Sequence, residues 1–413
     1  MSKNSKKNVP VLRFPEFEGN WQTKTLEELA DWSSGGTPSK DNPDYWGGDI
    51  PWISASSMYD DIFLDSEQKI TKLGLENGSK LATKGSILIL VRGMILYKRI
   101  PVGIAGRDLA FNQDIKCLKI RNKRELLFLF YWLKANENLI KSLVSGTNVG
   151  TGKLDTSQLK ILVIFKPFIA EQEKIASFLG AVDTRLTQLR RKHELLQTYK
   201  RGVMQKLFSQ QIRFKCDDGK PFPDWEETKI RDVFSKIRNG FVGIATPFYV
   251  EKGIPYLQGK NIKAGKINSR DLFFVSQEFH VEHINSTILE GDILLVQSGH
   301  VGECAVVTKE FDQSNCHAVI ILRPLKLYNA EFVVNLFYST HGQKKLYEIT
   351  TGNTIKHILT SDLGEMYFDL PCLPEQEKIA DFLTAINQKI EAVAKQIELT
   401  EQFKKGLLQK MFV

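Results

Sequence analysis

From Ile175 onward, apolar residues recur at alternating steps of four and three: Ile175, Leu179, Val182, Leu186, Leu189, Leu196, Val203 and Leu207. That is the a/d spacing of a coiled-coil seam, in which one narrow stripe per helix faces a partner. His193 and Lys200 fill the two interrupted seam positions. The pattern returns at Ile379, Leu383, Ile386, Ile390, Val393, Ile397, Leu407 and Met411, with Thr400 and Lys404 as polar breaks. Pro167, Pro371 and Pro374 precede the two stretches. Glu171, Glu173, Glu375 and Glu377 stand in their first turns, where the helix dipole favours acids. Each stretch predicts a helix of about 35 residues, a rod of roughly 50 Å at 1.5 Å per residue.

Elsewhere the apolar runs are short and strand-like. KGSILIL at 84–90 and EGDILLV at 290–296 each follow a glycine turn, and amphipathic segments of one or two turns lie between such runs. These runs are also copies of each other. EQEKIA at 171–176 recurs at 375–380, about 204 residues on. From there the copies continue without a gap to QKLF at 205–208 and QKMF at 409–412, with about 16 of some 38 positions identical. Upstream, FPEFEGNW at 14–21 parallels FPDW at 222–225, IPW at 50–52 parallels IPY at 254–256, and SGTNVGTGKL at 145–154 parallels TGNTIKHIL at 351–359. The EGNW element has no close counterpart in the second copy. Between these anchors the copies diverge in sequence and length.

The order is therefore a variable block, a constant helix, a second variable block and a second constant helix. The second block starts where the first helix ends and finishes where the second begins. A compact block then forces the second helix to run back along the first. The expected fold is α+β: two domains of mixed strands and short helices, related by a pseudo-two-fold and separated by a long antiparallel two-helix coiled coil. The expected boundaries are a disordered basic arm at 1–11, a first domain at 12–166, a spacer helix at 167–210, a second domain at 211–370 and a second helix at 371–413. A rod between two unlike blocks is a ruler.

Length and composition fit this layout. The 413 residues suffice for several compact units, and 42% hydrophobic with 25% charged residues is globular. No apolar run reaches the roughly 18 to 20 residues of a membrane span. The polar, lysine-rich start has no signal-peptide core. Five scattered cysteines without a CxxC pair fit a reducing cytoplasm. His280, His283, Cys304 and Cys316 come nearest to a metal set, but their spacing matches no zinc module. Net charge is +8, about +10 before Ser209 and about −2 after it. That permits a polyanionic partner without requiring one.

Catalytic signatures are weak. Asn42-Pro43-Asp44-Tyr45 lacks the second proline of an amino-methylating turn, and 146–153 departs from a phosphate loop at its first glycine and at Leu154. Pro223-Asp224 with Glu227 and Lys229 crowds its carboxylates too closely for nuclease chemistry.

Taken together, GGTPSKDNPDYWGGDIPWI at 35–53, the glycine–threonine turn before each helix and the EQEKIA opening followed by Phe-Leu at 178–179 and 382–383 resemble the specificity subunits of type I restriction–modification enzymes. The resemblance spans nearly the whole chain. It implies two target recognition domains that read the two halves of an asymmetric, interrupted DNA site. It implies no catalytic site in this chain, and helices that set the spacer and dock two methyltransferase subunits. Those subunits would carry S-adenosylmethionine and methylate adenine N6. Motor–nuclease subunits, using ATP and Mg, would complete a cytoplasmic complex. Two other readings compete: a single-chain restriction–modification enzyme with its own catalytic site, and a coiled-coil adaptor that binds only protein.

DNA contacts would come from the variable blocks. In the first, Arg92, Tyr97, Lys98, Arg99 and Arg107 form a basic cluster, and Asn112 and Gln113 could read adenine. In the second, Gln258, Lys260, Asn261 and Lys263 make one polar turn, and Gln297, Ser298 and His300 another. The turns around Thr147, Asn148 and Lys153, and around Asn353, Thr354 and Lys356, suit either the phosphate backbone or the domain–helix junction.

Overall fold

The computed structural model describes residues 8–147, 150–352 and 356–413. Its contacts divide the chain into two units, Met1–Arg190 with Lys395–Val413, and Arg191–Ala394. Each unit thus combines one variable block with one half of each long helix.

In the first unit a five-stranded sheet runs in the order Ala30–Ser34, Ile115–Ile120, Ile87–Leu90, Val102–Ala105, Ile62–Phe63. The strand Ile87–Leu90 is buried on both faces, which explains why its sequence is continuously apolar rather than alternating. A second sheet pairs Trp46–Ile53 in parallel with Leu109–Phe111, with Lys69–Ile70 and Lys80–Ala82 at its edges. Leu126–Ala135 is apolar around its whole circumference, and six of its ten residues are buried.

The second unit repeats this plan. Its main sheet runs Phe234–Asn239, Val319–Pro324, Ile293–Val296, Cys304–Val306, and Tyr249–Gln258 lies parallel to Asn315–His317. The helix Ala330–Tyr338 takes the place of Leu126–Ala135. Trp21 meets Phe128 at 6.0 Å and Trp225 meets Phe332 at 6.2 Å, so even core aromatic pairs are duplicated.

The long helices run Ile169–Phe208 and Leu373–Met411, 40 and 39 residues, somewhat longer than the spacing predicts. Within the first unit their parts are antiparallel: Asp183 meets Lys404 at 2.5 Å and, further along, Arg190 meets Glu401 at 2.6 Å. Within the second, Met204, Leu207 and Phe208 share a core with Ile379, Leu383 and Ile386. The seam residues Ile175, Leu179, Val182, Leu186, Leu189, Ile379, Leu383, Ile386, Val393, Leu407 and Met411 are buried. Leu196, Ile390 and Ile397 are half-buried.

The EQEKIA openings do more than complement a dipole. Arg13 grips buried Glu171 through two bonds of 2.8 Å, and Arg213 grips buried Glu375 at 3.1 and 2.8 Å. Gln172 donates to the Pro167 carbonyl and Gln376 to that of Pro371, both at 2.8 Å. The opening is thus a polar anchor that seals each helix start against its own block.

Two expectations change. Val9 packs partly against the first core and Pro10 is buried, so the arm expected over 1–11 does not extend through these residues; 1–7 lie outside the described ones. The EGNW element does have a counterpart. Arg13-Phe14 matches Arg213-Phe214, Gly19 matches Gly219 (φ 82 and 83), and the second copy is merely longer between glycine and tryptophan. Phe14 meets Phe178 at 5.7 Å edge-on, as Phe214 meets Phe382 at 5.6 Å.

Candidate nucleic-acid interface

In both units several candidate residues stand on or just past the ends of strands. In the first, a three-stranded patch joins Val144–Gly146, Gly152–Leu154 and Arg92–Gly93. Its register sets Lys153 directly opposite Arg92. Like charges placed opposite each other on adjacent strands repel, and an arriving anion relieves that repulsion. Lys116, bonded to the Ser34 hydroxyl at 2.6 Å, sits near enough that burial first, and then the Arg92 charge, hold it below the usual lysine range, against the pull of Asp114. Tyr97 is exposed, and its hydroxyl points towards Gly146. Lys98 and Arg107 are also exposed.

Other candidates in this unit are engaged. Arg99 donates to the Met58 carbonyl at 2.7 Å and lies over the Tyr59 ring. Gln113 is exposed and accepts from the Thr37 hydroxyl at 2.6 Å. Asn112 is corrected from a base reader to a structural residue: it is only 7% exposed, and its carbonyl oxygen accepts from the Asp114 amide at 3.1 Å. The Thr147 and Thr151 hydroxyls are 2.8 Å apart, while Asn148 lies outside the described residues.

In the second unit Gln258, Lys260, Ser298 and His300 converge on one cleft of about 390 Å³, where His317 joins them. The structure thus brings together the two turns that the sequence presents separately. Tyr249 and Phe273 stack at 4.7 Å beside it, with the Lys260 ammonium 4.1 Å from the Phe273 centroid. Gln297 accepts from the Ile358 amide through its backbone and braces the cleft edge. Lys263 stands on a two-residue hairpin whose tip, Ala264-Gly265, has φ of 52° and 80°. Asn261 is corrected like Asn112: it is 1% exposed, with its amide nitrogen donating to the carbonyls of Asn268 and Arg270.

The counterpart of the Arg92–Lys153 contact is a bridge between Ser298 and His357. His357, not Lys356, thus occupies the place of Lys153, and Lys356 lies over the Tyr347 ring at 4.2 Å. Asn353 and Thr354 lie outside the described residues. The residues missed from the sequence are Lys116, Tyr249, Phe273, His317 and His357. An aromatic or a histidine inside a strand gives no sign of which face it serves, but the repeat register pointed to His357.

Among the described residues no group of three or more His, Cys, Asp or Glu side chains could hold a metal ion, and no helix is long and apolar enough to cross a membrane. His280 instead bonds Asn315 at 2.5 Å, and Cys304 and Cys316 are buried thiols.

The family profile for the type I restriction modification DNA specificity domain matches residues 18–197 and again 223–401, the two copies of the repeat. Over 422 residues the chain is 24% identical to the MjaIX specificity subunit of Methanocaldococcus jannaschii, covering 98% of this chain and 95% of that one. The MjaVIII specificity subunit of the same organism is 25% identical over 417 residues, covering 97% and 93%. Among solved structures, the type I S subunit from M. genitalium superposes with a TM-score of 0.60 at 20% identity, covering 98% of this chain and 99% of that one, a likeness of fold. Duplicated profile, duplicated fold and full-length relatives agree: the chain belongs to the type I restriction–modification specificity subunits, the DNA-recognising, non-catalytic components of these systems.

Proposed function

We propose that each unit reads one half of an asymmetric, interrupted DNA site, and that the long helices set the spacer and dock two methyltransferase subunits. The observation that carries this is duplication with divergence. The Arg13–Glu171 and Arg213–Glu375 anchors, the core aromatics and the strand order are copied, whereas the strand-end groups are not. Arg92 and Lys153 in one unit answer to Ser298 and His357 in the other. Two surfaces of unlike chemistry read unlike sequences, and half-sites on one side of a duplex lie about one helical turn or slightly more apart.

Docking of two copies of one partner is supported by an apolar pair that survives on both helices. Leu195 and Tyr199 are 51% and 53% exposed, and their repeat equivalents Leu399 and Phe403 are 51% and 54% exposed. Such pairs, one helical turn apart, suit a partner helix. The partners would carry S-adenosylmethionine and methylate adenine N6. Motor–nuclease subunits with ATP and Mg would complete the complex in the cytoplasm.

The test is to exchange residues 12–166 for the matching block of a relative and to map methylated adenines across the genome. The expected result is one changed half-site beside one unchanged. An unaltered motif, or change in both halves, would reject the reading.

A further inference from the structure

The cleft of the second unit opens where Tyr249–Gln258 and Asn315–His317 end as parallel neighbours, with Gln258 and His317 side by side in register. Their hydrogen-bonding roles follow from what stands behind them. The Tyr256 hydroxyl lies 3.0 Å from His317 Nδ1. Tyr256 is fully buried and His317 Nδ1 is the only partner its hydroxyl has among the described residues, so the phenol donates its proton there and Nδ1 accepts. Burial also lowers the His317 pKa, favouring the neutral ring. The one imidazole proton then sits on Nε2, making His317 a donor. Gln258 spends an amide hydrogen on the Tyr249 hydroxyl at 3.3 Å, and its carbonyl oxygen, which faces the Asn261 amide in a capping box and can accept two bonds, is the acceptor it brings.

We propose that this cleft is the base-reading pocket of the second unit and takes the major-groove edge of an adenine, with Gln258 accepting from N6 and His317 donating to N7. Adenine alone offers a donor beside an acceptor on one purine edge. Guanine presents two acceptors, and its O6 would face the Gln258 oxygen. Cytosine and thymine have no N7. Lys260, on the rim above Phe273, with Ser298 and His300 across the cleft, suits the flanking phosphate. The first unit has no such pair: the repeat puts Ser54 and the buried Asn112 at these two positions, so its half-site must be read differently. The proposal rests on the reading that each unit contacts one half-site.

The experiment uses the full chain in complex with its methyltransferase subunits. Duplexes of the genome-mapped motif carry 7-deazaadenine, which lacks N7, or unsubstituted purine, which lacks the N6 amino group, at one adenine at a time. One adenine in the half-site of the second unit should lose about 5- to 150-fold in affinity with either analogue. Gln258→Ala should abolish the penalty for the missing amino group and keep that for the missing N7, and His317→Ala should do the reverse. The proposal is overturned if no adenine in that half shows both penalties in the unaltered complex, which needs no variant to fold. It is equally overturned if both variants keep both penalties. Neither result would disturb the block-exchange outcome, which judges the two-half reading alone.

Discussion

Lys404 and Lys200 hold equivalent places in the repeat but live in different surroundings, and replacing each by methionine should have opposite effects. In the first unit the Lys404 ammonium lies 2.5 Å from the Asp183 carboxylate and 3.7 Å from that of Asp61. Asp183 also accepts the Tyr131 hydroxyl at 2.7 Å. In the second unit the repeat places Asn387 where Asp183 stands and Asn335 where Tyr131 stands. Burial there holds Lys200 below the usual lysine range, with only Glu391 pulling it back. At an effective dielectric of about 20, two charges 4 Å apart attract by about 4 kcal/mol before desolvation. Asp183 is 28% exposed, so solvent recovers part of that when Lys404 is lost, leaving a cost of about 2 kcal/mol. For units of this size that is a fall in Tm of roughly 4–8 °C. Lys200→Met removes a desolvated charge and keeps the apolar stem, so Tm should hold or rise. Asn387→Asp should add about 1 kcal/mol by restoring the missing carboxylate. The sign with pH is fixed by the lowered pKa. Between the folded and the ordinary lysine values the unfolded chain binds more protons, so stability rises with pH there. The gain from Lys200→Met is therefore full below the folded pKa and fades as pH climbs towards the ordinary lysine value. Calorimetry of the four proteins across pH would check all of this. Equal losses from the two lysine replacements would refute the assignment of different environments.

Glu375→Ala takes from Arg213 its buried carboxylate, leaving it the Phe222 and Pro223 carbonyls, and from the Trp225 indole nitrogen, 3.2 Å away, its acceptor; it should cost about 3 kcal/mol, read from the midpoint of urea unfolding. Gly240→Ala would set a Cβ 2.7 Å from the Cys316 carbonyl oxygen, next to His317, so it should impair recognition of one half-site while the other survives in the methylome. The thiols of Cys117, Cys304 and Cys316 are pushed up by burial, so the native chain should react with a thiol reagent at Cys216 and Cys372 only, and at all five positions once unfolded.

The long helices were readable because a seam repeats one physical demand every few residues, and 204 residues later the chain repeats it again. The polar anchors are less plain. An acid in a first turn fits the dipole by itself, and the cations that pair with Glu171 and Glu375 stand 158 and 162 residues upstream, in Leu-Arg-Phe at 12–14 and Ile-Arg-Phe at 212–214. The recognition surface was less legible. Asn112 and Asn261 follow strands just as Gln113 and Lys260 do, and only packing shows that the asparagines face inward to satisfy backbone groups. His317 lay hidden in Asn-Cys-His-Ala-Val, where its role depends on a tyrosine 61 residues away.

The Leu12 amide donates to the Lys410 carbonyl at 2.8 Å, and Leu407, Met411 and Phe412 belong to the same core as Trp21 and Phe128. A ribosome that has finished the first reading head has therefore not yet supplied the residues that close it. A premature stop just after Ala394 would spare every strand of both heads, yet leave the earlier-made one open and the later-made one intact.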